Sequence, residues 1–248
     1  MTSHDVDRSE ARADSTHPDL KEMVARAGRQ SVAGAVAGFI GIGVIGLRGT
    51  MRLVTITSGG AGRVTENGSR AGDFTLEGTL FLVIAGTVLG AMIAFLYGAI
   101  RRGLPKNIWL SSLLTAPLLA RLLMLDPNNV DFRRFAPSWV AVIGFTFGCF
   151  IYTLTLEATL RWLEGRWRLP VWANLVIAAP PATLLAMQVL LGFFGIDVWR
   201  LALYALTAVL LVAWWRGAAW LKHLPVVLAV LWIVGGIAWW LRTVGELA

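Results

Sequence analysis

Residues 80–100 read LFLVIAGTVLGAMIAFLYGAI, a run without a single charge, amide side chain or proline. A bilayer's hydrocarbon core is about 30 Å thick, and a helix needs roughly 20 apolar residues to cross it. This run has that length, and it carries no polar stripe for a helix in water to turn outward. Comparable runs lie on both sides of it. Spans are predicted at 31–47, 80–100, 108–125, 138–160, 171–195, 199–215 and 224–241. The first, sixth and seventh are short, so the count falls to six if one of them fails to cross. The expected fold class is an all-α integral membrane bundle of about seven transmembrane helices.

Composition agrees with lipid as the solvent. Of 248 residues, 15% are charged and 56% hydrophobic, where a soluble domain has about 25% charged. Mean hydropathy is +0.66. The net charge of +7 does not point to nucleic acid, because the basic residues sit in short loops rather than in one patch. Thirteen lie in the N-terminal tail and even-numbered gaps: Arg8, Arg12, Lys21, Arg26, Arg29, Arg101, Arg102, Lys106, Arg161, Arg166, Arg168, Arg216 and Lys222. Eight lie on the other side: Arg48, Arg52, Arg63, Arg70, Arg133, Arg134, Arg200 and Arg242; Arg121, inside a span, completes the 22. Cytoplasmic loops retain positive charge. The N-terminus is therefore expected in the cytoplasm and the C-terminus outside, in a plasma (inner) membrane.

Proline and tryptophan follow the same plan. Pro105, Pro170 and Pro225 each follow a short basic turn at the start of an odd-numbered span, where a helix needs no amide hydrogen. Trp109, Trp162, Trp167, Trp172, Trp214, Trp215 and Trp220 mark the inner boundary, and Trp139, Trp199, Trp239 and Trp240 the outer one, as expected of interfacial aromatic belts. Only Trp232 falls deep in a span. Residues 1–30 form a polar tail of mixed charge, disordered at first, with a short amphipathic helix from Pro18 on the spacing of Leu20, Met23, Val24 and Ala27.

The outer loop at 48–76 is long enough to hold structure. Leu53, Val54, Thr55, Ile56 and Thr57 form a β-branched run that favours a strand. Asn67-Gly68 is a two-residue hairpin turn signal, since both positions tolerate positive φ. A small β-hairpin-like cap over the outer face is expected here, with an irregular Gly-rich loop as the alternative.

No constellation for chemistry emerges. Gly41-Ile42-Gly43-Val44-Ile45-Gly46 fits the dinucleotide-binding pattern, but it lies mid-span with no strand before it and no helix start after it. With Gly34 and Gly38, Gly41 makes a small-residue face for close helix packing. Cys149 is the only cysteine, and His4, His17 and His223 are scattered, so no metal cage is expected. No cofactor is expected either. The last span has no lysine for a retinal Schiff base.

Two charged features lie within the spans. Glu77 at the outer start of the second span and Arg121 near the outer end of the third share a depth, and a buried charge needs a partner. They are expected to pair, with Asp126 as competitor and solitary snorkelling of Arg121 as the alternative. Glu157 and Arg161 are spaced for a local i,i+4 pair. Pro180-Pro181 in the fifth span and Pro117 in the third remove amide donors, and interrupted helices line some transporter sites.

The stretch Ser58-Gly-Gly-Ala-Gly-Arg63-Val-Thr-Glu66-Asn-Gly68, continued by Asp73-Phe-Thr-Leu-Glu77-Gly, resembles the exoplasmic segment of uncharacterised multi-pass membrane proteins from GC-rich bacteria such as actinobacteria. The likeness spans the first loop and second span. It implies a bacterial plasma membrane and brings no activity, cofactor or site residue with it. The residues favour a non-catalytic accessory or interaction component contacting the lipid bilayer and a membrane-protein partner. The alternatives are a small-solute transporter or channel around the proline-interrupted spans and, last, a membrane-embedded enzyme.

Overall fold

The computed structural model describes residues 20–64, 75–123, 125, 138–194 and 224–247. Among these the secondary structure is helical throughout. The first rod combines α1 (Leu20–Ala37), a π-helical segment (Gly38–Gly49) and α2 (Thr50–Ser58). After it come α3 (Leu76–Ile100), a 3₁₀ turn (Arg101–Gly103), α4 (Ile108–Leu123), α5 (Ser138–Leu163), α6 (Val171–Phe194) and α7 (Leu224–Leu247). Three rods are long and apolar enough to cross a membrane: Leu20–Ser58, Leu76–Gly103 and Ser138–Leu163. Shorter apolar helices run over Ile108–Leu123, Val171–Met187 and Ala229–Arg242. The predicted sixth span at 199–215 lies outside the described residues.

Local chemistry sets the helix ends. Thr75 caps α3 by accepting the Gly78 amide at 3.2 Å. Asn107 caps α4 by accepting the Trp109 and Leu110 amides at 2.9 and 3.3 Å. Gly59, at φ 61°, closes the first rod in the left-handed conformation that glycine tolerates.

The expected strand is corrected. Leu53 to Thr57 lie within α2. The Thr55 and Thr57 hydroxyls fold back onto the Met51 and Leu53 carbonyls at 2.8 and 3.0 Å, so these β-branched residues satisfy themselves within a helix. α2 packs along α5, and that contact overrides the local β preference. The hairpin is not seen among the described residues. Its turn, Asn67-Gly68, lies outside them.

The first rod and α5 form the centre. α3 and α6 pack on the first rod, α4 packs on α5, and α7 packs on α4 and the 3₁₀ turn. Glycines set the separations. A Cβ at Gly38 would collide with the Gly86 carbonyl, one at Gly34 with Ala94 and the Gly90 carbonyl, and one at Gly41 with the Tyr152 backbone. The expected packing face at Gly34, Gly38 and Gly41 thus serves two neighbours, α3 and α5. In a π-helix residues five apart share a side. Gly38 and Gly43 accordingly meet α3, while Gly41 and Gly46 meet α5. Tyr152, fully buried beneath Gly41, donates its hydroxyl to the Gly90 carbonyl of α3 at 2.8 Å.

The outer surface is apolar. Phe81, Ile84, Leu113, Val176 and Val234 are each at least 60% exposed, and large exposed apolar side chains in number mark a surface that faces lipid or a partner.

Candidate functional site

Among the described residues, the densest polar structure lies where α3 and α5 finish. The 3₁₀ turn that ends α3 aims Arg101 across α5. Its guanidinium grips Glu157 with Nε on Oε2 at 2.7 Å and Nη2 on Oε1 at 3.0 Å. Its third nitrogen, Nη1, donates to Glu164 Oε1 at 2.8 Å. Arg161, one turn after Glu157, donates from Nε to Oε1 at 2.8 Å and from Nη2 to the Lys106 carbonyl at 2.8 Å. Tyr97 completes the cluster: its hydroxyl lies 3.2 Å from Ser111 Oγ and donates a long bond to Glu157 Oε2 at 3.4 Å. One carboxylate therefore joins α3, α4, α5 and the loop before α4.

The local Glu157–Arg161 pair is present. Arg101 was not foreseen as its larger partner. The available signal was depth: both residues belong at the same end of the second and fourth spans, although 56 positions apart.

Beside this cluster lies a pocket of about 330 Å³ lined by Arg26, Arg29, Gln30, Arg101, Arg102 and Glu164. Gly98 and Leu160 form the rest of its wall. Arg26 is braced by Glu22 at 2.9 Å. The lining can bind an anion. The carboxylates, bonded by arginines, are poorly placed to hold a metal cation.

A second polar knot fixes α6. Asn174, 1% exposed, accepts the Trp167 indole N–H at 2.6 Å and donates to the Leu169 and Pro170 carbonyls at 3.0 and 3.1 Å. Gly28 of α1 leaves the room this side chain occupies. Asn174 is therefore a clamp for the 164–171 turn rather than a polar group lining a path.

The other predicted site residues are dispersed. Arg121 donates to the Leu125 carbonyl at 2.6 Å and stacks over the Trp239 ring at 4.1 Å. Glu77 is exposed in the first turn of α3. The expected Glu77–Arg121 pair is not among the ion pairs of the described residues, because α3 packs mainly on the first rod whereas α4 packs on α5 and α7. The competing partner Asp126 lies outside the described residues. Pro117 sits inside α4, and Pro180 and Pro181 inside α6, which stays helical through both. Pro180 is exposed and Pro181 buried. α6 packs against α1 and α3, and neither Pro180 nor Pro181 is among the residues that line the arginine pocket.

Set against known proteins, the chain matches no family model, no curated protein and no solved structure.

Proposed function

We propose that the protein is a non-catalytic accessory or interaction component of a bacterial plasma membrane. It would be a multi-pass bundle of about seven spans with its N-terminus in the cytoplasm and its C-terminus outside. The observation that carries this is the closure of the centre: glycine contacts bring the first rod against α3 and α5, and the buried acid Glu157 is bound by two arginines. An interior packed in this way is a scaffold. The surfaces it offers to a partner are the apolar flanks and the polar ends.

Transport around the paired prolines has weaker support, because α6 keeps its helix through both of them. Mild-detergent purification from the native membrane, followed by thermal unfolding in the presence of a panel of small solutes, separates the two. An accessory component co-purifies with one partner at fixed stoichiometry and shows no solute-dependent stabilisation. Solute-dependent stabilisation that is lost in Pro180→Ala with Pro181→Ala would instead establish transport, since ligand bound to the folded state raises apparent stability.

A further inference from the structure

The arginine-lined pocket beside Glu157 has a chemistry that scaffolding does not require. Four guanidiniums and one carboxylate line it, and that carboxylate, Glu164, is already bonded to Arg101. Glu22 and Glu157 brace Arg26 and Arg101 from outside the lining, and within the lining guanidiniums outnumber carboxylates four to one. Guanidinium forks match phosphate oxygens in pairs. Among the described lining residues none is aromatic, so a nucleobase would find no stacking face.

Depth narrows the source. Arg101 directly follows the apolar run of α3, and Arg26 and Arg29 directly precede the apolar part of the first rod. Trp109, Trp162 and Trp172 stand at this same end, each about 60% exposed or more, and exposed tryptophan marks the headgroup level of a bilayer. Basic pockets between membrane helices bind acidic lipid headgroups.

We propose that this pocket binds a phosphate-bearing anion, and that its occupant is the headgroup of an anionic phospholipid lying against α1 and α3. The proposal is independent of whether the chain has a protein partner.

The test is thermal unfolding of the full chain in neutral detergent, titrated separately with short-chain phosphatidylglycerol, short-chain phosphatidylcholine and inorganic phosphate. Phosphatidylglycerol should raise the midpoint by several degrees and phosphatidylcholine should leave it unchanged. Arg29→Gln with Arg102→Gln should abolish most of the shift. Arg52→Gln with Arg63→Gln, which removes equal charge elsewhere, should keep it. If the first double variant does not fold, Arg29→Lys with Arg102→Lys keeps the charge and loses the fork, and should weaken binding about tenfold. Equal stabilisation by inorganic phosphate would uphold the phosphate site and overturn its lipid occupant. No anion-dependent shift, or an undiminished shift in both Arg29/Arg102 variants, would overturn the site altogether.

Discussion

Glu157 sits within the last two turns of α5, with its side chain 7% exposed and both oxygens taken by arginines. Removing one partner of such an arrangement leaves charge without compensation, at about 3–5 kcal/mol for fully buried pairs. Arg101 and Arg161 are 29% and 46% exposed, so water relieves part of that penalty. Glu157→Ala should therefore destabilise the protein by about 2 kcal/mol in a detergent unfolding series. Tyr97→Phe, which removes only bonds of 3.2 and 3.4 Å, should cost less than ~1 kcal/mol. Equal effects from the two would show that Glu157 does not hold the cluster. The i,i+4 partner of Glu157 was legible in the chain because helical geometry makes it local. Arg101 was not, because its approach depends on which helices become neighbours.

Among the elements, the glycines at the contact of the first rod with α3 have the clearest consequence. A Cβ at Gly90 would collide with the Gly38 Cα and the Gly34 carbonyl, whereas at Gly235 of α7 it would meet nothing within 4 Å. Alanine favours a helix over glycine by about 1 kcal/mol at either position. Gly235→Ala should thus be neutral or slightly stabilising. Gly90→Ala should lose about 1–3 kcal/mol through overpacking at the α1–α3 contact. A stabilised Gly90→Ala variant would contradict the close approach. The same scale explains the strand that became helix. β-Branched residues prefer strands only weakly, and packing of α2 along α5 supplies more than that preference.

For the whole molecule, sidedness is the property to test. Cys149, the sole cysteine, is fully buried, so a membrane-impermeant thiol reagent should not label the parent protein. Introduced singly, Ala248→Cys should label in intact cells and Ser3→Cys only after permeabilisation. Labelling of both in intact cells, or of neither, would place the termini on one side and remove the odd number of spans.

The chain alone determined that this protein is helical and apolar outside, because a bilayer requires long uncharged runs whose backbone bonds are internal. It also marked the small-residue face at Gly34, Gly38 and Gly41. Tertiary structure alone decided that α4 packs on α5 and α7 while α3 packs on the first rod, and that Arg101, just past the end of α3, reaches Glu157 of α5 with two bonds. Periodicity reports which side of a helix avoids a given solvent. It says nothing of which partner waits there when lipid and protein interior are equally apolar, and only glycine contacts and buried charge resolve that choice.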